Sequence, residues 1–449
     1  MTLSERLAQY ISETSYDSLP REVQEMAIRC VYNYMGCACA GTLEPEATTL
    51  TDMWKKFFPE GKCHLFASDK TADPATAALI NGTAGNALGY DDMYREGLNH
   101  PGVATITAAL TIADIVPVTG KEFITGIVVG YEVFNRLSHL LIPSHYKYWH
   151  VTATAGTFGA AAVAASMMKL SPTEIISALG AAGTQAAGLQ ECVGNMNQRS
   201  HHGIAARNGV LGALMASQGY YGAPHILDGP AGLIRAMSDF DGDCLEPFAD
   251  LGTKYLILDT SFKFYPCCGH IHGCAEAAIE VAVENDIQPA DISRITVGTY
   301  KTAITNSGNP NPQNVLQAKF SVPYCVAKSI LERRLTMQEF VAWPPSAETL
   351  ELMGKIELMV DDEVETAYGA SQNNGGVVTV FTKQGKEFSS KKILHKGDPE
   401  VPLTLDDLLI KFRSLCHMAM PMESVTELEK RIAILPELPE ASVLTHGYL

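Results

Sequence analysis

Eighteen consecutive residues, Val151 to Met168, carry no charge and are mostly Ala, Gly and Thr. A helix that is apolar on every side must be buried, yet side chains this small are too weakly hydrophobic for a membrane span. The run therefore predicts a helix enclosed by other helices inside a folded domain. The rest of the first half agrees. Val23, Met26, Ala27, Cys30, Val31, Tyr34, Met35 and Ala38 keep the 3,4 spacing of one buried face, with Pro20 placed where a first helical turn accepts it and Gly41 at the end. The same periodicity predicts helices at about 74 to 88, 103 to 114, 120 to 141, 151 to 169, 172 to 189, 203 to 218 and 229 to 238. Ser171-Pro172-Thr173-Glu174 supplies a capping box for one of them.

The texture changes after about Leu256. From Ile295 to Thr299 the residues alternate as a strand does, and Val377 to Phe381 reads as a hairpin partner of Phe388 to Leu394 across Lys383-Gln384-Gly385-Lys386. Helices at about 272 to 285 and 321 to 333 lie between these strands. Helical patterning returns from Thr404. The expected class is mainly α with an α+β part: a large all-helical domain built from both chain ends, 1–260 and 396–449, plus a smaller α+β domain at 261–395.

The chain has 449 residues, 46% of them hydrophobic, enough for a large core. Its formal net charge of −17 argues against nucleic-acid or anionic-membrane partners, so an anionic ligand must meet a local basic site. Eleven irregularly spaced cysteines and a start that runs directly into an amphipathic helix lead us to expect a reduced, cytoplasmic protein.

Chemistry-bearing residues concentrate in four places. Lys263-Phe264-Tyr265-Pro266-Cys267-Cys268-Gly269-His270-Ile271-His272 packs a cation, two thiols and two imidazoles into ten positions. His100 follows Asp91-Asp92 and precedes Pro101-Gly102, where a loop histidine beside carboxylates suits a general base. His150 heads the Ala-rich helix, where free N–H groups favour an anion. Arg199-Ser200-His201-His202 is expected to open the helix after it in the same way, and since adjacent side chains point apart, one of its two histidines is expected to be structural. No Walker loop, dinucleotide fingerprint or His-Glu-x-x-His occurs, and adjacent cysteines do not have zinc spacing, so neither cofactor nor metal is expected. Read alone, Tyr324 is a core tyrosine.

As an ordered set these motifs, with Gln185-Ala186-Ala187-Gly188-Leu189, Phe320-Ser321-Val322-Pro323-Tyr324 and Lys396-Gly397-Asp398-Pro399, resemble the MmgE/PrpD family. That family includes 2-methylcitrate dehydratase, cis-aconitate decarboxylase and iminodisuccinate epimerase. The resemblance implies a helical domain with an α+β lid, a homodimer, and cofactor-free chemistry beside the carboxylates of small polyacids. It implies catalytic positions at Asp92, His100, His150, Lys263 and Tyr324, with Arg199, His201, Gln198, His270, His272 and Cys268 as substrate-binding candidates. Departures bear on the substrate. Gly89 and Met93 stand where cis-aconitate decarboxylases carry an acid and a threonine, Gln198 stands where members often carry lysine, and Cys268 where decarboxylases can show histidine. The expected activity is therefore dehydration of a hydroxy-polyacid, ahead of epimerisation or decarboxylation of a related acid, or an inactive binding pocket.

Overall fold

The computed structural model describes residues 1–341 and 343–447. The protein is mainly helical with a smaller α+β part, and it divides into two compact units: residues 1–261 with the segment from Thr404 onward, and Phe262–Leu403.

The first unit is helical because its sequence offers faces of small residues. The uncharged run forms the helix Val151–Met167, in which every residue but Ser166 is buried. Around it pack Gly120–Leu141, Pro101–Ala113, Pro172–Gly183 and Met196–Ser217, and Pro74–Ala87 lies on the last of these. No helix among the described residues is long and apolar enough to cross a membrane. The C-terminal helix Leu405–Ala419 returns to Arg21–Gly41: Phe412 meets Tyr32 edge-on at 5.3 Å, and the buried Lys411 Nζ donates to Asn33 Oδ1 at 2.8 Å and to the Tyr90 carbonyl at 2.7 Å. A buried ammonium requires such donors' partners, since an unpaired one would cost several kcal/mol.

Three helix boundaries differ from expectation. The helix expected to reach 189 stops at Gly183, because residues 184–189 leave it to run beside Trp149 and His150. The helix expected at 203 begins at Met196, and that expected at 229–238 is only Leu233–Met237.

The second unit is a four-stranded sheet in the order Ile356–Val360, Ile292–Thr299, Gly376–Thr382, Glu387–Lys392. The first pair is parallel and the other two antiparallel, with Val380 opposite Phe388 in the expected hairpin. Ile356–Val360 was not anticipated: its burial is irregular and mostly exposed, so no clean alternation marks it. Gly376–Thr382 alternates buried and half-buried residues, and the helix His272–Glu284 packs on its apolar face, with Val322–Glu332 packed on that helix in turn.

Candidate active site

In the first unit, residues from three distant segments form one polar cluster. His100 is the N-cap of Pro101–Ala113, and its backbone N–H donates to Thr152 Oγ1 of the Ala-rich helix at 3.1 Å. Its ring Nδ1 lies 2.8 Å from the Asp92 carbonyl and 3.1 Å from Asp91 Oδ2. Both are acceptors, so Nδ1 carries the proton and Nε2 is left with the lone pair. Such a tautomer makes Nε2 a proton acceptor, with a carboxylate behind it to stabilise the imidazolium that forms.

A relay supports Asp91. Asn86 Nδ2 donates to Asp91 Oδ1 at 2.8 Å, while Arg199 Nη1 donates to Asn86 Oδ1 at 2.8 Å. Arg199 is 6% exposed, placing a permanent cation inside the cluster. It approaches the chain closely at Gly89, where φ is +65° and an added Cβ would lie 3.2 Å from the guanidinium. A side chain there would meet Arg199 and be strained besides.

The aspartate expected to act was Asp92, and this is corrected by the geometry. Asp92 Oδ2 accepts from Tyr131 Oη at 2.7 Å and from Gly102 N at 3.2 Å, capping the helix behind His100. Burial first, and the Asp91 charge second, push its carboxyl up to about 6 against those hydrogen bonds. Asp92 thus positions His100, through its carbonyl and the helix it caps, and Asp91 is the carboxylate that faces the ring. Sequence reasoning passed over Asp91 and Asn86. Asp91 was within the motif, but the choice between neighbouring aspartates depends on where each side chain points.

His150 is the N-cap of Val151–Met167, and its N–H donates to the Gly188 carbonyl at 2.9 Å. At Gly188, with φ +147°, a Cβ would lie 2.4 Å from that of Ala153, so only glycine lets this strand of chain close against the helix head. His150 Nδ1 is 3.2 Å from His201 Nδ1, so one of the two carries a proton toward the other. His202 donates from Nδ1 to the Arg199 carbonyl at 3.2 Å, and its ring is edge-on to His150 at 5.3 Å and to His100 at 5.7 Å.

Two expectations about this segment are corrected. Arg199 closes the first turn of Met196–Ser217 and His201 and His202 lie beyond it, so the helix opens before this segment. Nor is one of the two histidines turned away: the His150 ring lies 5.4 Å from that of His201 and 5.3 Å from that of His202. Burial chiefly, then the neighbouring imidazoles and Arg199, hold His150 well below the ordinary histidine range; burial alone lowers His201, and burial drives His202 down to about 3. These three rings are neutral near pH 7. Gln198 is peripheral: its side-chain oxygen accepts from Gly194 N at 3.0 Å and braces the turn before the helix.

The second unit gathers Lys263, Cys268 and His270. Lys263 is 7% exposed, and its charge acts on the Cys268 thiol and the His270 ring. Burial raises the Cys268 thiol, which suits it to hydrogen bonding rather than nucleophilic attack. His270 stands on the short turn Gly269–Ile271 and remains partly exposed. Two expected site residues are placed elsewhere. His272, at 0% exposure, is sealed between Tyr265 at 5.4 Å and His395 at 4.8 Å, which removes it from contact with a ligand. Tyr324 is also at 0%, and its hydroxyl donates to the Glu339 carbonyl at 2.8 Å beside Phe340 and Trp343. Its hydroxyl proton is thus engaged within its own unit, and a catalytic role for it is what the resemblance implies. Among the described residues no three His, Cys, Asp or Glu side chains are arranged to hold a metal ion.

Similarity to known proteins spans nearly the whole chain. Cis-aconitate decarboxylase of Aspergillus terreus is 25% identical over 467 residues, covering 98% of this chain and 95% of that protein. The Homo sapiens cis-aconitate decarboxylase is 25% identical, with 99% and 94% covered, and that of Mus musculus 26%, with 83% and 78%. Residues 5–243 match the MmgE/PrpD N-terminal domain and residues 265–435 the MmgE/PrpD C-terminal domain, so the chain belongs to the MmgE/PrpD family.

Proposed function

We propose that this protein is a lyase that needs no cofactor and removes a proton next to a carboxylate of a small di- or tricarboxylic acid, with dehydration of a hydroxy-polyacid as its reaction. The observation that carries the reading is the His100 ring, held by the Asp92 carbonyl and the Asp91 carboxylate so that Nε2 is the basic atom. Arg199, in the same cluster, pairs with a substrate carboxylate and stabilises the enolate-like charge that grows as the proton leaves. Lys263, in the second unit, is a separate carboxylate-binding candidate. His100 Nε2 accepts the proton from carbon, the carbon–oxygen bond of the neighbouring hydroxyl breaks, and the imidazolium returns its proton to the departing oxygen as water. Asp91 stabilises the imidazolium between the two transfers.

Decarboxylation is the second reading, favoured by the similarity to cis-aconitate decarboxylases. There a carbon–carbon bond breaks, CO2 departs, and a histidine supplies the proton to carbon. Gly89, where the family resemblance implies an acid in decarboxylases, leaves Arg199 with a clear approach and supports dehydration over it. Homodimeric assembly, which the resemblance implies, and a cytoplasmic location, expected from the cysteine usage, accompany the proposal.

The test is turnover of a polyacid panel followed by proton NMR in D2O, which reports water loss, CO2 loss and deuterium exchange together. Dehydration of a hydroxy-polyacid supports the first reading, and itaconate from cis-aconitate supports the second. Exchange at carbon without net product indicates an epimerase. If no acid reacts or exchanges, the enzymatic reading fails and a binding protein remains.

A further inference from the structure

The second unit contains a hydrogen-bonded chain that the mechanism above does not use. His270 Nδ1 lies 2.5 Å from Tyr300 Oη, and Tyr300 Oη donates to Asn374 Oδ1 at 2.7 Å. A phenol has one proton. Because that proton goes to Asn374, the Tyr300 oxygen can only accept from His270, so Nδ1 carries hydrogen and Nε2 presents a lone pair. The arrangement is rigid: Tyr300 is fully buried and stacks on Tyr368 with centroids 3.9 Å apart, and His270 meets both rings edge-on. His270 itself remains partly exposed, seven positions after Lys263.

We infer that His270, oriented by Tyr300 and Asn374, is a specificity-determining residue: a hydrogen-bond acceptor that recognises a hydroxyl or amine proton on an acid whose carboxylate pairs with Lys263. The assignment rests on the polyacid reading above and deepens it. An ionised unsaturated or saturated polyacid without such a group has only acceptors to offer and leaves Nε2 unsatisfied, a loss of one hydrogen bond. Burial chiefly, and Lys263 in addition, bring the ring down to about 4, so near neutral pH it accepts a hydrogen bond from a ligand hydroxyl and has no proton on Nε2 to give. It is accordingly not the acid that expels a hydroxyl. Tyr300 and Asn374 are positioning residues, and neither adjoins His270 in sequence.

Calorimetric titration of the full-length protein with matched acids tests this: malate against succinate, and citrate against tricarballylate. The hydroxylated member of a pair is expected to bind about tenfold more tightly, the size of one hydrogen bond. Tyr300→Phe, which frees the ring to take the other tautomer, is expected to bring that ratio to within about twofold while the deoxy acid binds as before. His270→Leu is expected to do the same, and His270→Gln, whose amide oxygen also accepts, to restore part of the preference. Long-range proton–nitrogen correlation on the wild-type protein at pH 7 is expected to show His270 protonated at Nδ1, independently of any ligand. Equal binding within each pair, a preference that survives both Tyr300→Phe and His270→Leu, or an Nε2-protonated ring overturns the inference while leaving carboxylate binding intact. Failure of every acid to bind sinks the polyacid reading and this inference with it; binding unchanged in Lys263→Ala overturns this inference alone and assigns the carboxylate to other cations.

Discussion

The two units keep His150 and His270 neutral by different means. In the first, rings crowd together: His150 is depressed by burial and by His202, His100 and His201 around it, with Arg199 adding to the effect. In the second, His270 stands apart from other imidazoles and is governed by burial, Lys263 and a hydrogen-bonded tyrosine. Crowding leaves proton acceptors within reach of one another, which suits transfer. Isolation with a fixed partner selects one tautomer, which suits recognition. A rise in ligand charge or a change in pH should therefore register differently in the two places.

Removing the base should break the comparison most sharply. His100→Ala is expected to lower kcat by roughly 10²- to 10⁴-fold, the usual contribution of a positioned general base, with much smaller loss of binding measured by calorimetry. Equal losses in kcat and affinity would make His100 a binding residue instead. Next comes its carboxylate partner: Asp91→Asn keeps the shape but loses the charge behind the imidazolium, and about a 10- to 100-fold drop in kcat is expected with little change in KM. If Asp92→Asn has the larger effect on kcat without loss of thermal stability, the assignment of the two aspartates is reversed.

Lys263→Ala acts on the other unit. It should weaken polyacid binding by about tenfold or more, since a charge-assisted hydrogen bond is worth roughly 1.5 to 3 kcal/mol. Titration calorimetry at two salt concentrations checks it, and an unchanged affinity would assign the carboxylate to other cations.

Acid should separate the units by stability. His202 has a folded-state pKa depressed from 6.5 to about 3, so above 6.5 neither the folded nor the unfolded chain holds that proton. As pH falls, the unfolded chain protonates first, and stability contributed by the neutral ring is lost between about 6.5 and about 3. The loss is about 1.4 kcal/mol per pH unit within that window. His202→Gln should flatten the acid limb of a urea-midpoint profile; His270→Gln should flatten it less, because the His270 window closes at about 4. An acid limb insensitive to both substitutions would show that other groups govern it. The smallest effect is expected at Gln198→Ala, within about 0.5 kcal/mol in stability and twofold in turnover, because Gln198 only braces a turn. A larger change in turnover would return Gln198 to the site.

Much of the architecture was legible because its signals are local. A helix of Ala, Gly and Thr must be enclosed whatever surrounds it, and Val377 to Phe381 alternates because one sheet face packs on a helix. Errors fell where a tertiary contact overrode the pattern: the chain leaves the helix at Gly183 to lie along His150, and the edge strand Ile356–Val360 has no alternation to detect. In the candidate site, residue types were legible and orientations were not. His272 and His270 are two positions apart, yet one is sealed in the core and the other reaches the surface.

Sequence alone determined the helical character of the first unit, the mixed character of the second, and the segments in which imidazoles, thiols and cations are concentrated, because periodicity and composition act over a few neighbouring residues. Tertiary structure decided which aspartate backs His100, that His201 and His202 both reach His150, and that Tyr300 and Asn374 orient His270. Those outcomes depend on the direction of hydrogen bonds between residues as far apart as Asn86 and Arg199, 113 positions in the chain, and no local pattern encodes a direction.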